Sequence, residues 1–107
     1  MAIHQIAIDE LKGIVPGGGT VIDVREVDEY VAGHIPLSVN IPYSTIEDNI
    51  DRFRSESDIY LVCRSGNRSQ MVCEYLHDQD IVNVVNVATG ILGWSASGGP
   101  LTQGDQP

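Results

Sequence analysis

Positive charge is scarce in this sequence. Six lysines and arginines stand against fifteen aspartates and glutamates, for a formal net charge of −9 over 107 residues. No basic stripe is present, which argues against general nucleic-acid binding. Cysteine is scarce too, with only Cys63 and Cys73. They form no Cys-x-x-Cys pair and no Cys/His cluster, so no metal site is expected. Two such thiols, the second in a predicted helix, read as free cysteines rather than a disulfide framework. No apolar run approaches the roughly 20 residues that span a bilayer, so no membrane partner is expected. The first residues, Met1-Ala2-Ile3-His4-Gln5, lack the basic and long apolar regions of a signal peptide, and the expected compartment is the cytoplasm. There is no internal repeat and no linker that would divide the chain. From Ser95 the chain becomes Ser/Gly/Pro/Gln-rich, and the expectation is one domain over residues 1–101 followed by a flexible tail over 102–107.

One stretch is rich where the rest is poor. Cys63-Arg64-Ser65-Gly66-Asn67-Arg68-Ser69 holds two of the six basic residues. Before it lies the apolar run Ile59, Tyr60, Leu61 and Val62, which reads as a buried strand. After it, residues 70–76 read as a helix with Met71, Val72, Tyr75 and Leu76 on its apolar face. A strand-to-helix turn aims successive backbone N–H groups and the positive end of a helix dipole into one small volume. A thiol there ionises more readily than its ordinary value of about 8.5 suggests. An anion is expected to bind in the same place, aided by Arg64 and Arg68. Gly66 is expected to supply a conformation or close approach that a Cβ would obstruct. Ser69 reads either as a helix cap or as a weak hydrogen-bond donor to the thiolate.

The remaining chain alternates. Strands are expected at 2–6, 20–24, 39–41, 58–62 and 81–87, the last rich in β-branched residues. Helices are expected at 8–12 (stopped by Gly13), at 27–32 (closed by Gly33), from a Ser44 or Thr45 cap toward Phe53, and from Gly90 through Trp94. Alternation of this kind implies βαβ units: an α/β fold with a mainly parallel five-stranded sheet and helices on both faces. Ligands of such folds bind beyond the carboxyl ends of the strands. Asp23, Arg25 and Cys63 all fall at strand ends and should share one rim.

Three segments together resemble a single-domain rhodanese. The first runs from Val21-Ile22-Asp23-Val24-Arg25-Glu26 through Glu29-Tyr30, Gly33-His34-Ile35 and Asn40-Ile41-Pro42. The second is the turn 63–69, and the third is Gly90-Ile91 with Trp94 and Gly99-Pro100. Two departures are visible. Pro36-Leu37-Ser38 stands where the family usually reads closer to Pro-Gly-Ala, and Thr89 stands where a glycine commonly precedes Gly90. The resemblance implies a rhodanese-like fold and transfer of a sulfane sulfur through a Cys63 persulfide. The donor would be thiosulfate or a similar small anion, the acceptor a thiophile such as cyanide or a protein thiol, and no cofactor would be needed. Arg64, Ser65, Gly66, Asn67, Arg68 and Ser69 would bind the substrate, with Asp23 and Arg25 in support.

Loop length separates this reading from its neighbours. Four residues lie between Cys63 and Arg68, whereas tyrosine phosphatases and the rhodanese-related phosphatases and arsenate reductases use five. The shorter loop suits a single sulfur atom better than a tetrahedral oxyanion. A persulfide carrier serving a biosynthetic partner is the alternative within the same fold. Asp23 and Arg25 read more readily as a mutual brace than as substrate contacts. His34 reads as a satisfied structural histidine, His4 and His77 as surface residues, and Cys73 as a buried, inert thiol.

Overall fold

The computed structural model describes residues 2–107. Five strands are present: β1 Gln5–Ile6, β2 Thr20–Asp23, β3 Val39–Asn40, β4 Ile59–Val62 and β5 Val84–Val87. They form one sheet in the order β1-β5-β4-β2-β3, and every pairing is parallel. Four α-helices, α1 Ile8–Ile14, α2 Val27–Ala32, α3 Asn67–Asp78 and α4 Gly90–Ala96, alternate with them, and a 3-10 helical segment spans Tyr43–Phe53. No helix is long and apolar enough to cross a membrane among the described residues.

Successive strand residues point to opposite faces, so a parallel sheet covered on both sides needs two apolar layers. Both exist. Ile22, Ile59, Leu61 and Val84 pack with Phe53, Val72, Cys73 and Leu76 beneath α3 and the 3-10 segment. Val21, Val62, Val85 and Val87 pack with Leu11, Ile91 and Trp94 beneath α1 and α4. Phe53 is fully buried, and its removal from water contributes roughly 1.5–3 kcal/mol.

Several boundaries differ from the sequence expectation, each for a local reason. Gly13 does not stop α1, because Val15 N–H still donates to Leu11 O at 3.0 Å and Ile14 and Val15 pack on the core. The segment after Pro42 is 3-10 rather than α-helical. Thr45 Oγ1 donates to Pro42 O at 2.8 Å, Asn49 Nδ2 donates to Thr45 O at 2.9 Å, and the backbone breaks at Asn49 with φ −124°. Side chains that satisfy the backbone in this way compete with a regular helix. Strand β5 begins at Val84, not at Ile81, because Ile81 N–H still closes the end of α3 on Leu76 O at 2.9 Å. Helix α3 begins earlier than expected, inside the cysteine turn itself.

The stretch 102–107 lies along the α2–β3 connection. Thr102 and His34 exchange backbone hydrogen bonds of 2.9 and 2.8 Å, Gly104 N–H donates to Val31 O, and Leu37 N–H donates to Pro107 O. His34 is fully buried and stacked on Tyr30 with ring centroids 3.6 Å apart. Its ring nitrogens face Tyr30 O at 2.8 Å and Gln106 O at 2.9 Å. His77, expected at the surface, is half-buried, with both ring nitrogens out of solvent and without a hydrogen-bond partner among the described residues.

Candidate active site

Cys63 follows the last residue of β4, at the carboxyl rim of the sheet, and is 1% exposed. The chain then turns through Gly66, the N-cap of α3, with φ +96°. A Cβ at Gly66 would stand 2.0 Å from Ala88 O, so glycine alone fits both the conformation and the space. Gly90 plays the matching part from the other side. Its φ is +52°, a Cβ there would meet Cys63 O at 2.3 Å, and the N–H groups of Ile91 and Leu92 tie down the carbonyls of Cys63 and Arg64 at 2.9 and 3.0 Å. The turn is therefore clamped between two glycines and the first turn of α4.

This clamp aims donors at the sulfur. Gly66 N–H lies 3.1 Å from Cys63 Sγ, and the Ser69 hydroxyl lies 3.4 Å from it. Burial pushes the Cys63 thiol up, as it does any buried acid. The Ser69 hydroxyl and the N–H groups of Ser69, Gly66 and Ser65 act against burial, and the net result lies below the ordinary thiol. Cys73, in the same core layer, has no such donors among the described residues, and burial pushes it up to about 12.

The two arginines of the turn divide. Arg68 forms a bidentate pair with Glu29 at 2.8 and 2.9 Å. That guanidinium holds the Glu29 carboxyl down to about 2, against the opposing effect of burial. Glu29 in turn accepts from Glu26 N–H at 3.2 Å within the capping box of α2, and the Glu26 carboxylate accepts from Ser44. Arg68 thus braces the turn against α2. Arg64 is exposed and makes no ion pair among the described residues. Ser65 and Asn67 are exposed beside it.

Asp23 and Arg25 sit on the same rim, since Asp23 pairs with Val62 across β2 and β4. Their side chains do not reach the sulfur. Arg25 grips the fully buried Asp23 carboxylate, with Nη2 to Oδ2 at 2.7 Å, and donates to Gly33 O at 2.7 Å. Asn40 Nδ2 closes on the carbonyls of Asp23 and Arg25 at 2.9 Å each. The pair holds the β2–α2 loop.

Two residues at the site escaped the sequence reading. Glu29 carries no local sign of its role, because its partner Arg68 is remote in sequence. Asn86 lies inside a strand of β-branched residues. Its signal is a lone amide in Val84-Val85-Asn86-Val87, and it is 1% exposed with Oδ1 2.5 Å from the Ser69 hydroxyl.

Comparison with known proteins agrees with this geometry. Residues 7–97 match the family model for the rhodanese-like domain. The thiosulfate sulfurtransferase GlpE of Pseudomonas entomophila is 32% identical over 102 residues, covering 94% of each chain. YrkF of Bacillus subtilis, provisionally named a sulfur carrier protein, is 32% identical over 96 residues; that match covers 88% of this chain and 52% of YrkF. The crystal structure of a rhodanese-related protein from Thermoplasma volcanium superposes with a TM-score of 0.83 at 32% identity, covering 92% of this chain and 97% of that one. With the glycine-clamped cysteine turn at the rim of a five-stranded parallel sheet, these matches establish that the chain belongs to the rhodanese-like domain family.

Proposed function

We propose that this protein is a sulfurtransferase that takes a sulfane sulfur from thiosulfate or a similar anion onto Cys63 and passes it to a thiophilic acceptor. The observation that carries this reading is the Cys63 sulfur at the focus of the Gly66 N–H and the Ser69 hydroxyl, with a thiol that ionises below its ordinary range. The Cys63 thiolate attacks the outer sulfur of thiosulfate. A new S–S bond forms, the old one breaks, and sulfite leaves with the bonding pair. The persulfide anion rests among the N–H groups of the turn, as an oxyanion rests in its hole. An acceptor such as cyanide then attacks the terminal sulfur, leaves as thiocyanate, and returns Cys63 as the thiolate. The persulfide does the chemistry, so the cycle calls for no cofactor.

Arg64 holds the sulfonate end of the donor by charge-assisted hydrogen bonds, because it is the arginine of the turn left without a carboxylate. Arg68 keeps the turn in shape through Glu29. Ser65, Gly66, Asn67 and Ser69 contribute as donors, and Asp23 and Arg25 support the rim. The likeness to GlpE favours thiosulfate as donor; the likeness to YrkF favours a carrier role. The two are separated by turnover. A thiosulfate enzyme yields sulfite and thiocyanate in equal, catalytic amounts when supplied with thiosulfate and cyanide. A carrier turns over thiosulfate slowly but is loaded rapidly by a persulfidated cysteine desulfurase. Release of phosphate from p-nitrophenyl phosphate, with no thiocyanate formed, would contradict both.

A further inference from the structure

Asn86 faces the same side of the sheet as Val84, toward α3, and its amide has a fixed orientation. Nδ2 lies 3.3 Å from Gly66 O, 3.2 Å from Gln5 Oε1 and 3.2 Å from Gln70 Oε1. A backbone carbonyl only accepts, so the amide nitrogen must face Gly66 and Oδ1 must face Ser69. The Ser69 hydroxyl has one proton and two claimants, Asn86 Oδ1 at 2.5 Å and Cys63 Sγ at 3.4 Å. Oδ1 can only accept, so a contact this short places the proton between Ser69 and Asn86. Ser69 then turns a lone pair toward the sulfur. That arrangement suits an S–H group and is wrong for S⁻.

We propose that Asn86 is a positioning residue that holds the Ser69 hydroxyl off the sulfur while Cys63 is a thiol and yields it when Sγ carries charge. This rests on Cys63 being the nucleophile of the proposed reaction. On ionisation the S–H proton leaves to solvent, the Ser69 O–H rotates from Oδ1 to Sγ, and Oδ1 is left without that donor. When sulfur is added, Sγ becomes neutral and the hydroxyl returns to Asn86. When the acceptor takes the terminal sulfur, Sγ leaves as thiolate and the hydroxyl swings back. Ser69 therefore supports Sγ only at the moments when it attacks or departs. Asn86 opposes ionisation at rest.

The charged groups around the sulfur do not supply this effect. They are Arg68, paired with Glu29 on α2, Arg64 in the turn, and the Asp23–Arg25 pair at the end of β2. Helix α4 and strand β5 bring no charged side chain.

The test is the pH midpoint of Cys63 alkylation by iodoacetamide in the full chain, mapped by peptide mass, for Asn86→Leu, Ser69→Ala and the double variant. Leucine keeps the branching of asparagine at Cγ and removes the acceptor together with the amide donors. The switch requires Asn86→Leu to lower the midpoint by roughly half to one pH unit, the worth of one hydrogen bond. Ser69→Ala raises it, and Asn86→Leu adds nothing once the hydroxyl is gone. A midpoint that rises or stays put in Asn86→Leu, or shifts equally in the Ser69→Ala background, overturns the proposal. Should Asn86→Leu fail to fold, Asn86→Asp answers the same question. It must raise the midpoint more with Ser69 present than in the Ser69→Ala background, and equal shifts would mean a plain charge effect. Alkylation needs no sulfur donor, so a failed switch is distinguishable from a failed sulfurtransferase, which the thiocyanate assay reads separately.

Discussion

Cys63 and Cys73 occupy one apolar layer and shift in opposite directions. Burial acts on both. Among the described residues, only Cys63 has backbone N–H groups and a hydroxyl within reach of its sulfur, so local hydrogen bonding decides which thiol ionises more readily. Under limiting iodoacetamide at pH 8, the native protein should take up one label, at Cys63. Cys73 should label only after unfolding in urea, and early labelling of Cys73 would contradict the contrast. Leu37 stands where the family usually reads glycine. It has φ +70° and is 71% exposed, so it packs little in return for the strain. Left-handed backbone costs a β-carbon residue roughly 1–2 kcal/mol, partly offset by the looser unfolded chain of glycine. Leu37→Gly should therefore stabilise the fold by about 0.5–1 kcal/mol in urea titration. The departure was legible in the sequence; its conformational meaning needed the backbone. Gly66 was fully legible, because a glycine between a strand-end cysteine and a helix start has few other uses. Asn86 was not, because a strand pattern cannot show which buried polar side chain lies under which loop.

At the scale of elements, the turn is held by its neighbours more than by its own helix. Helix α4 ties its carbonyls, and α2 reaches it through Glu29 and Arg68. The Glu29 carboxyl is held down to about 2, below its unfolded value. The ion pair thus contributes above the ordinary carboxylate range, and the contribution is lost as pH falls toward 2. The pair is about one-third exposed, so solvent screening reduces its worth to about 1 kcal/mol. Glu29→Gln should cost that much at pH 7 and almost nothing near pH 2. Equal losses at both pH values would assign the effect to packing instead. None of this latch was readable beforehand, since its partners come from helices far apart in the chain. By contrast, both ends of α2 are legible in the sequence, because Gly33 and the acidic first turn mark them locally.

For the molecule as a whole, the architecture was legible because five apolar segments alternate with amphipathic ones, and parallel pairing follows from that alternation. The ends of elements were less so, where side chains such as Thr45 and Asn49 take over backbone bonding. The composition of 102–107 suggested a flexible tail, yet its carbonyls meet His34 and Leu37. A chain ending at Leu101 should lose these bonds and leave His34 Nε2 facing solvent or nothing. A drop in Tm of about 5–10 °C is expected for a loss of 1–2 kcal/mol in a domain of this size. An unchanged Tm would return the segment to the status of a loose tail.

If Cys63 carries sulfur, intact mass after incubation of the reduced protein with thiosulfate will show it. The expected result is a gain of one sulfur atom, removed by cyanide and absent in Cys63→Ser. No gain in the native protein, or the same gain in Cys63→Ser, would contradict it.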